Sequence, residues 1–277
     1  MSQPRALALG ELSWTELAAW RDQIELVLIP LGSTEQHGPN LGLGMDHLAA
    51  EAFCQRASAR LHPRLLVAPA IPFGISGHHM KFPGTVTIRP ETFLAVLEDL
   101  IASLRHHGFR RFLFVNGHGG NEGLIAAAVR DFGFRLDIDF IAGLGFYNLG
   151  DAKLRDSFKG AAMTGHACEI ETSLALALRP DVARRESLAA GRLDPEFVAW
   201  REGLVQNSLD WPVTIDALTR NGALGDARTA SPEAGEAMVE SALADFAAIV
   251  DDLRTSVARW NGPPHRELHS LRAPRAQ

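Results

Sequence analysis

The chain has 277 residues, 46% of them hydrophobic and 22% charged, with a formal net charge of −6. That length and apolar share suit a single α/β domain with a core on both faces of a sheet, and the negative balance argues against a sequence-independent grip on nucleic acid, which needs a basic footprint. Cys54 and Cys168 are too few for a disulfide framework. With no signal-peptide pattern and no apolar run long enough to span a bilayer, a cytoplasmic protein is the expectation.

In chain order, Ser13 and Glu16 have capping-box spacing, which predicts a short helix over Trp14 to Arg21. Ile24 to Pro30 is a buried-strand pattern. A glycine-rich loop from Gly32 to Gly44 follows, then a helix from about His47 to Arg60, and a second strand over Leu65 to Pro69. Pro90 suits the first turn of a helix ending near Gly108. Arg111 to Val115 reads as a strand running into Asn116–Asn121 (NGHGGN), followed by a helix over Glu122 to Phe132 and a strand over Ile138 to Gly143. The run from His166 (HACEIETSLALAL) reads as one helix, residues 181 to 230 as weak patterns and long loops, and Ser231–Pro232 as the start of a last helix reaching Trp260. Alternating strands and helices imply a mostly parallel sheet covered on both faces, in one domain over residues 1–260 with a tail over 261–277. Sites in such sheets form beyond the carboxyl ends of the strands, where the loops after Pro30 and Val115 begin.

Three segments carry chemistry. The first loop offers Glu35, His37 and Asp46, a carboxylate and imidazole mixture that suits Zn²⁺, Mn²⁺ or Fe²⁺ rather than calcium. Glu35 and His37 stand two apart, so an extended backbone points them the same way, and Asp46 has oxygens enough to bridge two cations. The second segment places His118 among glycines at a strand end, with Gly119 close enough to line a substrate. Its alternative reading is a phosphate cradle at a helix N-terminus, which makes the chain a nucleotide-binding module without metal chemistry. The third puts His166 and Glu169 three apart, on one face if both are helical, with Glu171 displaced around the helix to support the site or the fold. Between them, His78 and His79 are candidate substrate contacts, and Phe82–Thr85 (FPGT) reads as a fixed turn.

Taken in order, GSTEQHGPNLGLGMD, FPGT, NGHGGN and HACEIETSLALAL resemble the creatininase family of metal-dependent amidohydrolases. The resemblance implies a three-layer α/β/α fold, two divalent cations per chain, a small-molecule amide substrate, and a homo-oligomer, often a hexamer. Carried over by position, Glu35, His37, Asp46 and His118 bind metal with Asp46 bridging, and His166 transfers protons. Creatininases proper have a further metal-binding acid two residues after the NGH histidine, where this chain has Gly120; Glu169 is the expected replacement and Glu122 its rival. The lid tryptophan of creatininase is Ala162 here, and Tyr147 matches another lid aromatic, so creatinine itself is not the expected substrate. A peptidase or deformylase acting on linear amides is the alternative within hydrolases. The mycofactocin-precursor peptidase branch has histidine where this chain has Glu169, which speaks against that assignment.

Overall fold

The computed structural model describes residues 5–156, 158, 165–196 and 212–259. Among them five strands form one sheet in the order β1-β3-β2-β4-β5, every neighbouring pair parallel. The strands are β1 (Leu7–Ala8), β2 (Leu26–Leu31), β3 (Leu65–Val67), β4 (Arg111–Asn116) and β5 (Phe140–Gly145). The helices are α1 (Trp14–Trp20), α2 (Met45–Arg60), α3 (Pro90–His106), α4 (Glu122–Arg135), α5 (Ala152–Asp156), α6 (Glu169–Leu178), α7 (Ile215–Leu218) and α8 (Pro232–Arg259).

Alternation along the strands divides the core in two. Leu26, Leu28, Leu65, Val67, Leu113 and Val115 face α2, α6 and α8, while Val27, Ile29, Leu31, Leu66, Phe112 and Phe114 face α3 and α4. Because β2 is buried at all six positions, its sequence is apolar without a polar alternate, as a strand covered on both sides requires. This is the expected three-layer α/β/α arrangement. Local signals act as anticipated: Ser13 and Glu16 form the reciprocal capping box that starts α1, and Pro90 opens α3.

Three differences from the sequence reading have physical causes. The two-residue β1 is too short to carry a periodic pattern and is held by pairing with β3. β5 begins at Phe140, two residues later than its apolar run, and Ile138 packs into the α3–α4 core instead. The segment read as one helix from His166 becomes helical only at Glu169. His166 instead pairs with Leu224 in an antiparallel bridge, Ala167 has φ of 50° and Cys168 is extended. The tail over 261–277 and Ala162 lie outside the described residues. Both cysteines are buried and unpaired with each other.

Candidate metal centre

The loops leaving β2 and β4 meet the first turns of α2 and α6 at the carboxyl edge of the sheet. Gly117, just past β4, lets α2 abut the strand end, since a Cβ there would collide with the Asp46 carbonyl. This close approach brings Asp46 between two imidazoles. Its Oδ1 is 3.0 Å from His37 Nε2 and its Oδ2 is 3.2 Å from His118 Nδ1. Glu35 Oε2 lies 3.2 Å from the same His118 nitrogen. Glu171 Oε2 comes to 4.0 Å from His37 Nε2.

Backbone carbonyls select which ring nitrogen faces inward. His37 Nδ1 donates to Glu35 O at 3.1 Å, leaving Nε2 toward Asp46. His118 Nε2 donates to Ile75 O at 3.1 Å, leaving Nδ1 toward Glu35 and Asp46. Anchoring one nitrogen on a carbonyl while the other aims at a common point is the usual arrangement around metal-binding histidines. Two inward atoms, His37 Nε2 and Asp46 Oδ2, are buried without a well-formed hydrogen bond. Buried polar atoms rarely go unpartnered. Three groups each bring their donor atoms within 4.8 Å of one another: Glu35–His79–His166, Glu35–Asp46–His118 and His37–His166–Glu171. With Asp46 reaching both of the last two, the donors fit a pair of adjacent cations.

The charges support one another. Burial alone would lower the His37 pKa, but the Asp46 carboxylate, aided by Glu171 and Glu35, lifts it to about 10. His118 is raised in the same way against its burial, by Asp46 and Glu35. Burial opposes ionisation of Glu35, yet His118 and its neighbours hold that carboxyl well below its usual range. Asp46 is lowered too, by His37 and His118, against burial and the Glu35 charge. Glu171, a quarter exposed, is pushed up by desolvation to about 7. Desolvation drops His79 to about 2, and desolvation together with the nearby His37 drops His166 to about 4, so both rings are neutral.

The creatininase family profile, described as creatinine amidohydrolase, matches residues 10–250. The chain belongs to the creatininase family. Its relatives include the mycofactocin precursor peptide peptidase of Mycobacterium tuberculosis, 34% identical over 94% of this chain and 95% of that one. The creatinine amidohydrolase of Pseudomonas putida is 30% identical over 85% of this chain and 93% of its own length. Among solved structures, a manganese form of creatininase superposes with a TM-score of 0.73 at 28% identity, covering 91% of this chain and 99% of that one. A Zn–Zn form, at 27% identity and with the same coverage, also gives 0.73. Both of the sequence relatives are named as hydrolases of C–N bonds, one a peptidase and the other an amidohydrolase. The 34% identity to the peptidase spans nearly the full length of both chains.

The expected site residues divide accordingly. Glu35, His37, Asp46, His118 and His166 converge as the family resemblance implies. Glu169 does not: its Oε2 accepts the Asp226 N–H at 2.7 Å, and the acid that reaches the cluster is Glu171. The expectation fails because the left-handed Ala167 and extended Cys168 break the helical phase between His166 and Glu169, so their spacing of three does not put them on one face. The rival Glu122 opens α4 and accepts a hydrogen bond from Tyr147 at 2.8 Å, away from these groups. An acid at position 120 has no room, because a Cβ on Gly120 would collide with His118 Nε2 and the Ile75 carbonyl. His79 is buried against Glu35 Oε1 at 3.4 Å, so it supports a carboxylate rather than lining an open surface. His78 is half-buried and stacks on His118 at 5.8 Å. Gly119 is exposed, with nothing within 4 Å of an added Cβ.

Sequence reasoning missed the supports. Ser76 Oγ donates to Glu35 Oε2 at 2.6 Å. Asn121 accepts from Ile75 N–H at 3.0 Å and donates to Gly32 O at 3.1 Å, joining the loops after β2 and β3. The paired asparagines of NGHGGN were the available signal, since short amides at a strand end commonly bind backbone. Nothing local marked Ser76 or Gln36.

Proposed function

We propose that this chain hydrolyses a C–N amide bond, with Glu35, Asp46 and His118 holding one divalent cation and His37, Asp46 and Glu171 a second. The observation that carries this reading is the convergence of buried carboxylates and imidazoles whose inward atoms, His37 Nε2 and Asp46 Oδ2, lack hydrogen-bond partners. The mixed nitrogen and oxygen donors suit zinc or manganese, the two metals named in the creatininase structures. Bound there, such cations supply a nucleophile from water at neutral pH and polarise the scissile carbonyl. Three carboxylates against two divalent ions leave a net positive centre for the developing oxyanion.

His166 moves the proton. Its Nε2 donates to the Gln36 carbonyl at 2.7 Å, so the Nδ1 lone pair faces the carboxylates, 3.8 Å from Glu35 Oε1. A neutral ring in this position takes the proton water gives up and delivers it to the leaving nitrogen. The carboxylates around His118 disfavour the phosphate-cradle reading, because they would repel an anion.

A linear peptide-type amide is a second reading of the substrate, favoured by the 34% identity to a peptide peptidase. A panel of cyclic amides and short peptides, assayed with zinc- or manganese-loaded protein, tests both. Turnover in either class that is abolished by a chelator and restored by metal supports the function. Absence of metal binding sinks it.

A further inference from the structure

Gln36 lies between two residues that face the centre and is itself buried. Backbone groups fix which end of its amide is which. Gly38 N–H donates to Oε1 at 2.9 Å, and Nε2 donates to Gly222 O at 3.1 Å. Reversing the amide would set N–H against N–H and carbonyl against carbonyl. One Nε2 hydrogen is thereby committed to Gly222. The other has two neighbours, His79 Nδ1 at 2.9 Å and His166 Nε2 at 3.0 Å. His166 Nε2 already donates to the Gln36 carbonyl, and two donors cannot bond to each other. The second hydrogen therefore goes to His79 Nδ1. His79 must then carry its proton on Nε2, the atom 3.4 Å from Glu35 Oε1.

We propose that Gln36 is a positioning residue that sets the tautomers of both neighbouring histidines. Its side-chain amide makes His79 an Nε2–H donor that holds Glu35, and its backbone carbonyl makes His166 an Nε2–H ring with Nδ1 open to the site. Only an amide offers an acceptor for Gly38 and donors for both Gly222 and His79. The contact with Gly222, where a Cβ would collide with the Gln36 side chain, also ties the segment after α7 to the centre. The tautomers follow from hydrogen bonding alone, whereas their effect on metal affinity rests on the metal-centre reading above.

The test combines ¹⁵N NMR of the histidine ring nitrogens in the full chain, with and without saturating zinc, and zinc affinity by chelator competition. The wild-type protein should show His79 and His166 both as Nε2–H. In Gln36→Glu, a near-isosteric change, His79 should switch to Nδ1–H while His166 keeps Nε2–H. Zinc affinity should fall by ~10–100-fold, as for loss of other groups supporting a metal ligand. An Nδ1–H form of His79 in the wild type, readable even if the variant fails to fold, overturns the proposal. So does an unchanged His79 tautomer, or unchanged zinc affinity, in Gln36→Glu. Wild-type tautomers as expected in a protein that binds no zinc would support the Gln36–His79 pairing and defeat the metal-centre reading instead.

Discussion

At the level of single residues, the two glutamates at the start of α6 have opposite duties. Glu169 Oε2 accepts a backbone N–H from Asp226 and closes a loop; Glu171 Oε2 accepts the Ala167 N–H at 2.5 Å and faces His37. Protein purified without chelator should carry about two metals per chain, as two-metal sites do. Glu171→Gln should lose metal while Glu169→Gln and Glu122→Gln keep it, read by elemental analysis; equal loss in the Glu169 and Glu171 variants would remove the distinction. His166 makes a different contribution. His166→Ala should retain metal but lose ~10²–10⁴-fold in turnover, the usual share of a general acid–base group. Unchanged kcat with intact metals would end that role.

At the level of elements, α2 is held from two sides by unlike forces. Its Phe53 stacks on Phe146 at 5.2 Å and meets Phe246 of α8 edge-on at 5.6 Å. Along its exposed side, Arg56 pairs with Glu236 and Arg60 with Glu240, with Arg64 just beyond the helix pairing with Asp251. The apolar contacts dominate. Phe246 is fully buried, so Phe246→Ala should cost ~3–5 kcal/mol through lost transfer energy and a residual cavity. The Arg56–Glu236 pair is about one third and one half exposed and is weakened by solvent screening. With the 2.7 Å hydrogen bond from Arg56 to the Ala177 carbonyl also lost, Arg56→Ala should cost about 1–2 kcal/mol. Urea denaturation of the two variants checks the ranking, and a larger loss for Arg56 would reverse it. Because α2 carries Asp46 in its first turn, the same packing also sets the position of the shared carboxylate.

For the whole molecule, metal binding and folding are linked through protons. His37 and His118 have folded-state pKa values above the ordinary 6.5, His37 near 10. In metal-free protein their carboxylate pairing contributes stability that is full below the unfolded value and is lost as pH rises through the folded one. The Tm of metal-free protein should therefore fall between pH 7 and pH 10. Metal needs these imidazoles neutral, so binding releases protons and apparent affinity should rise over the same interval. Glu171, near 7, adds a further proton at the lower end. Thermal melts and metal titrations in buffers of differing ionisation enthalpy measure both trends. An affinity independent of pH would mean the two histidines are not ligands. No helix among the described residues is long and apolar enough to cross a membrane.

The sequence by itself determined the alternating architecture, because β2 and β4 are apolar on both faces and α3 and α4 are amphipathic; these are local patterns. Most of the candidate centre was legible there too, because Glu35, His37, Asp46 and His118 sit at strand ends or on a helix start, where a parallel sheet gathers its loops. Only the tertiary structure shows that Glu171, and not Glu169, turns toward His37. That choice turns on one left-handed residue, Ala167, held in place by Asn40 donating to its carbonyl at 2.8 Å from across the fold. Gln36 and Ser76 were hidden for the same reason. Their partners lie 43 or 41 residues away along the chain, or 186 for the Gln36–Gly222 contact, and no spacing rule reaches a contact made when distant loops close on one point.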